Sequence, residues 1–165
     1  FRERAGRLIF QLEAFRPWVT KEPRFCLTFP FYRPHLEFPV VILVARKPGE
    51  VAVSLNTRDG FAREKSLQLW RQYNAEALRI TAACPRLVVN HSDLMARPVE
   101  EVSRLFTALD KLGVRGLRLP SDKEILNYID PKLHRSTDPD DMGSTAESQL
   151  FQDLLNAHQL TPDKA

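Results

Sequence analysis

The sequence predicts an α/β domain of three layers, a mainly parallel sheet flanked by helices. Three observations carry that expectation. Phe38-Pro-Val-Val-Ile-Leu-Val-Ala45 and Pro85-Arg-Leu-Val-Val-Asn-His91 are continuous apolar runs without alternation, as expected of parallel strands covered on both faces. Helical patterns lie between and after these runs, and the order strand, helix, helix, strand, helix is that of a parallel, right-handed arrangement. A chain of 165 residues buries one sizeable core, so residues 1–165 are read as a single domain.

Residues 2 to about 16 place Ala5, Leu8, Ile9, Leu12 and Phe15 at helical spacing, and Pro17 ends the pattern. The chain opens inside this helix with neither cap nor preceding strand, which reads as a domain entered part-way. Val19 to Lys21 and Phe25 to Phe29 read as short extended pieces around Glu22-Pro23, closed by Pro30, which cannot donate to a ladder. The first apolar strand then ends at Arg46-Lys47, and a helix starts near Pro48, a residue suited to a first turn. From about Phe61 to Thr81 a long helix carries Leu67, Trp70, Tyr73, Ala77 and Ile80 on one side. These aromatics read as packing residues. After the second strand, Ser92 or Asp93 can cap the next segment. The helix beyond Pro98 shows Val99, Val102, Leu105, Phe106 and Leu109 before Gly113 stops it. A short helix is expected over 122–128, a mobile polar stretch over 136–144 and a C-terminal helix over 145–160.

Composition limits the function. Apolar residues make up 43% and charged residues 27%, and no apolar run approaches the roughly 20 residues that span a bilayer. The reading is cytoplasmic, with no membrane span and no nucleic-acid partner. Cys26 and Cys84 have no cysteine or histidine neighbours at metal-ligand spacing, so neither a metal site nor a disulfide framework is indicated. The net charge of +3 hides an asymmetry, because residues 138–165 carry six acidic residues against one basic, leaving about +8 on the first 137. A basic body suits a small polyanion, and equally a solvated cationic face.

The richest segment is Val44-Ala-Arg46-Lys-Pro48-Gly-Glu-Val-Ala-Val-Ser54-Leu-Asn-Thr-Arg58. It sets an arginine at the carboxyl end of a buried strand, where open α/β sheets bind ligands, and a serine about two turns into the next helix. A guanidinium fork and a hydroxyl together can grip a terminal phosphate. The plainer reading makes Arg46 a solvated loop cation and Ser54 a tolerated helix residue. Arg58 is a weaker candidate at the helix end, and His35, His134 and His158 read as surface residues.

Arg46-x-Pro48-x-x-Val51-Ala52-x-Ser54 after an apolar strand resembles the 3′-phosphate-binding segment of the sulfotransferases that use 3′-phosphoadenosine-5′-phosphosulfate (PAPS). Three further segments extend the resemblance in the same order. Lys21-Glu22-Pro23-Arg24 is similar to the Lys-Asp-Pro-Arg segment of bacterial and carbohydrate sulfotransferases, Asn90-His91-Ser92-Asp93-Leu94 stands in the place of their Tyr-Glu-Asp-Leu, and Asp130-Pro131-Lys-Leu133-His-Arg135 resembles their late Asp-Pro-x-Leu-x-Arg. The resemblance covers roughly residues 19–135 and implies a P-loop NTPase-like fold with PAPS as co-substrate and no metal. It implies that Arg46 and Ser54 hold the 3′-phosphate, with His91 and Arg135 as further nucleotide contacts. His91 departs from the family's adenine-contacting tyrosine, and a satisfied strand-end histidine is its other reading.

Sulfonyl transfer needs positive groups on the oxygens where charge develops and a base within reach of the acceptor. Lys21 and Arg24 fit the first role. Glu22, standing for the family's aspartate, is the nearest base, or else a carboxylate paired with Lys21 or Arg24. The family's glycine- and serine-rich loop for the 5′-phosphosulfate is not found before residue 21. Two functions remain open: a sulfotransferase acting on a hydroxyl or amine of a small-molecule or carbohydrate acceptor, and an inactive remnant that binds a nucleotide or a protein. The apolar tail helix is compatible with packing on the body or with a homodimer.

Overall fold

The computed structural model describes residues 2–129 and 141–158. In chain order the elements are α1 (Arg2–Glu13), α2 (Phe25–Tyr32), a 3-10 turn (Arg33–His35), β1 (Val41–Ala45), α3 (Pro48–Asp59), α4 (Arg63–Ile80), β2 (Arg86–Asn90), α5 (His91–Ala96), α6 (Pro98–Lys111), α7 (Asp122–Tyr128) and α8 (Thr145–Asn156). The chain is α/β and mostly helical. Among the described residues the sheet has two strands, paired in parallel with Val41 opposite Arg86 and Ala45 opposite Asn90.

One face of this sheet carries the core. Leu43, Ala45 and Val88 meet Trp70 and Leu78 of α4 and Phe151 and Leu154 of α8. The expectation of strands buried on both faces holds for β2, where Leu87, Val88 and Val89 are all buried. It fails for β1, whose Val44 is 58% exposed although its register partner Val89 is buried. The outer flank of β2 is met by α6, from which Arg104 donates to the Val88 carbonyl at 2.7 Å. Cys84 is buried at the end of the α4–β2 connection, and Cys26 is partly buried.

The segment 25–29 is helical, not extended. Phe25 N–H donates to the Glu22 carbonyl at 2.9 Å and Thr28 N–H to Arg24 at 3.1 Å, so the turn at Pro23-Arg24 feeds directly into a helix. Pro30 offers no N–H to the carbonyl four residues back, and α2 ends two residues beyond it. The helix packs on α1 and α4, and its Phe25 and Tyr32 rings meet edge to face at 5.4 Å.

Local chemistry sets the other ends. Pro48 occupies the first turn of α3, and Gly60, at φ +68°, closes that helix by donating to the Asn56 carbonyl. The cap of α5 is Asn90, not Ser92 or Asp93: its side chain accepts from Ser92 N–H at 3.1 Å. Capping boxes start α7 at Ser121 and Glu124 and α8 at Ser144 and Glu147. No described helix is long and apolar enough to cross a membrane.

Residues 141–147 lie across the start of α3 and the side of α4. The Asp141 carbonyl accepts from Gly49 N–H at 3.1 Å, the Asp141 carboxylate from Arg63 at 2.7 Å, and Glu147 pairs with Arg71 at 3.1 Å. Gly49 permits this contact, because a Cβ there would lie 2.4 Å from the Asp141 side chain and 2.5 Å from its carbonyl oxygen. Alanine gains up to about 1 kcal/mol over glycine in a helix, whereas overpacking costs about 1–3 kcal/mol. Gly49→Ala is therefore expected to lower the thermal unfolding midpoint by several degrees, and a raised midpoint would show that the 141–143 segment yields freely.

Candidate functional site

The register of the sheet builds the site. Ala45 lies opposite Asn90, so the next residues, Arg46 and His91, leave the carboxyl ends of adjacent parallel strands together. The Arg46 backbone is fixed from behind, where its carbonyl accepts from the Trp70 indole at 3.0 Å. Its side chain turns along α3 and donates Nε–H to Glu50 Oε2 at 3.0 Å. His91 Nδ1 stands 3.7 Å from that same carboxylate oxygen. Glu50 is 1% exposed. Its charge lies in the first turn of α3, where the helix dipole favours an anion, and beside a cation.

Ser54 follows Glu50 by four residues and so shares its face of α3, roughly 6 Å further along the axis. It is partly buried, as are Arg46 and His91. The structure therefore brings Arg46 and His91 together and sets Ser54 on the helix face that Glu50 begins. Arg58 lies at the far end of α3 with its guanidinium on Asp59 at 2.7 Å. Arg135, and with it the segment 130–135, lies outside the described residues.

Lys21, Glu22 and Arg24 form the turn that enters α2. Arg24 and Glu22 hold one another through Nε–H to Oε1 at 2.8 Å and Nη2–H to Oε2 at 3.1 Å, while the Arg24 backbone N–H donates to Glu22 at 3.0 Å. These bonds, with the side-chain contact foremost, lower the Glu22 carboxyl from an ordinary 4.5 to about 2. Such a carboxylate is a weak proton acceptor, and the pairing that the sequence left open is the one observed. Lys21 is exposed.

Sequence reasoning missed Glu50, Asp141 and the indole of Trp70. The signal for Glu50 was present as an acid four residues after Arg46, in a first helical turn. For Asp141 there was no local signal, because its partners Gly49 and Arg63 are remote in sequence. Two open clefts lie elsewhere, one lined by Asn90, Asp93, Glu101, Arg104 and His158 and the other by Arg63, Arg71, Gly143 and Glu147. Among the described residues neither carries an excess of arginine over carboxylate: the first sets Arg104 against Asp93 and Glu101, and the second sets Arg63 and Arg71 against Glu64 and Glu147. The strand-end cluster is preferred for the residues it brings together, and neither cleft is lined by Arg46, Ser54 or His91.

No family model, curated protein or solved structure compared with this chain gives a match. The site is read from its own residues.

The depressed Glu22 carboxyl gives a direct test. Its folded value lies below its ordinary one, so the stabilisation from the Arg24 pair is present above pH 4.5 and fades as pH falls toward about 2. A carbon-detected carboxyl titration is expected to find the Glu22 midpoint near 2 and, in Arg24→Ala, a return toward 4.5. Coincident midpoints in the two proteins would show that the pair does not form in solution.

Proposed function

We propose that this chain works in a PAPS-dependent sulfotransferase, with Arg46 and Ser54 as the grip on the nucleotide's 3′-phosphate and the sheet as part of a larger three-layer, P-loop-like fold. The observation that carries the reading is the side-by-side exit of Arg46 and His91 from two parallel strands, next to the first turn of the helix bearing Ser54. The donor set suits the group: Arg46 spends Nε on Glu50 and keeps its terminal nitrogens for an anion, and Ser54 adds a hydroxyl. His91 adds a ring suited to stacking or hydrogen bonding at the edge of that pocket.

The nucleotide would supply the sulfonyl group. An acceptor hydroxyl oxygen forms the new bond to sulfur, the bond from sulfur to the bridging phosphate oxygen breaks, the hydroxyl proton passes to a base, and 3′-phosphoadenosine-5′-phosphate leaves. Lys21 and Arg24 are assigned to the negative charge that grows on the departing and transferring oxygens. Glu22 orients Arg24 and becomes an effective base only when that pair opens. The tight Glu22–Arg24 pair also favours a second reading, a domain that binds the nucleotide without transferring from it.

Calorimetric titration with 3′-phosphoadenosine-5′-phosphate tests the pocket. Binding is expected, and Arg46→Ala or Ser54→Ala should weaken it by about tenfold or more, a loss of ~1.4 kcal/mol. Absence of binding, or affinity indifferent to both substitutions, would overturn the assignment. Binding without sulfonyl transfer to hydroxylic acceptors would favour the second reading.

A further inference from the structure

We infer that Glu50 is the positioning residue of this pocket, the carboxylate that fixes the direction in which Arg46 presents its guanidinium to an anion at the strand ends, beside His91. The inference rests on the proposed nucleotide site and goes beyond it by naming the residue that preorganises it. Glu50 touches no ligand in this role.

An arginine side chain loses substantial rotamer freedom when a ligand fixes it, and that cost lowers affinity. Here one end of the fork is already held: Nε–H donates to Glu50 Oε2 at 3.0 Å, and the backbone carbonyl is held by Trp70 at 3.0 Å. Glu50 is itself immobile, being 1% exposed and part of the first turn of α3. The same oxygen faces His91 Nδ1 at 3.7 Å, so one buried atom relates the residue after β1 to the residue after β2.

A competing effect has the opposite sign. A carboxylate next to Arg46 lowers the positive potential that an incoming phosphate meets, so removing Glu50 could strengthen binding. Preorganisation is expected to dominate, for two reasons. The Glu50 charge is already balanced by the α3 N-terminus and by Arg46. Without Glu50, moreover, Arg46 is free to turn away from the strand ends.

The test compares Glu50→Ala and Glu50→Gln with the unmodified chain by two measurements. The first is the proton–nitrogen resonance of Arg46 Nε–H in the ligand-free protein, assigned by its loss in Arg46→Lys. It is expected downfield in the unmodified chain, shifted upfield in Glu50→Ala and intermediate in Glu50→Gln, whose amide oxygen still accepts. The second is affinity for 3′-phosphoadenosine-5′-phosphate, expected to fall about tenfold in Glu50→Ala and less in Glu50→Gln. A purely structural role would lower the unfolding midpoint without this graded recovery by glutamine. An unchanged Arg46 resonance, or tighter nucleotide binding in a folded Glu50→Ala, overturns the inference; if Glu50→Ala does not fold, the same outcomes in Glu50→Gln decide. If the unmodified chain binds no nucleotide, the function proposed above fails while the Arg46 resonance still decides whether Glu50 positions the guanidinium.

Discussion

The parallel pairing of Val41–Ala45 with Arg86–Asn90 is the constraint on which the rest of the site depends. Its register brings Ala45 against Asn90 and therefore sets Arg46 and His91 next to one another at the same end of the sheet. A slip by one residue would reverse the faces of β1 and take Leu43 and Ala45 out of the core they share with Trp70 and Leu154. It would also part Arg46 from the indole that holds its carbonyl. The apolar core and the polar site are thus fixed by one alignment. Glu50 is bonded to Arg46 and stands 3.7 Å from His91 Nδ1, and breaking such a buried group away from its cation is costly because the charge stays behind in a poorly solvated place.

The second constraint is the return of the chain from Asp141 to Glu147. In sequence the C-terminal stretch is an acidic block following a basic body. In space two of its acids are spent on that body, Asp141 on Arg63 and Glu147 on Arg71, one at the start of α4 and the other two turns further on. The start of α8 is fastened by a capping box whose own Glu147 is part of this contact, so capping and docking are one event. The long polar segment ends, as a result, at the N-terminus of α3, with the Asp141 carbonyl on Gly49. The site is bounded there by the backbone and side chain of Asp141, and only a glycine leaves room for them.

Much of this was legible in the sequence, and the misses share a cause. The strands, the proline start of α3, the long α4, the glycine stop of α6 and the bounds of α7 follow from period, caps and breakers, all of which are local. Phe25–Tyr32 was misread because an apolar run with an internal proline satisfies a strand pattern as readily as a short helix. What decides is the tertiary surface offered by α1 and α4, which local pattern does not contain. The exposure of Ile42 and Val44 was likewise hidden: the run Val-Ile-Leu-Val-Ala states that both faces can be covered, not that both are. At the site, Arg46, Ser54 and His91 stood out through their positions after strands and on a helix. Glu50 did not, because an acid in a first helical turn is explained sufficiently by the helix dipole until the structure shows what it touches.

The two arginine–glutamate pairs near the site differ in a way that bears on their use. Arg46 and Glu50 are joined with the carboxylate withdrawn from water and the arginine side chain partly exposed. In the proposed site an incoming anion would add to this pair without displacing it. Arg24 and Glu22 are joined at the surface, both oxygens of the carboxylate occupied, in a two-residue turn open to solvent. Water competes for both partners of such an exposed pair, which makes it easier to open than the buried one. In the function proposed above, an anionic ligand oxygen would compete with Glu22 for Arg24. That exchange would also release the carboxylate from the bonds that hold its proton affinity down. In the proposed enzyme, the event that engages Arg24 with a ligand would make Glu22 a stronger base; where the pair stays closed, the non-transferring reading holds.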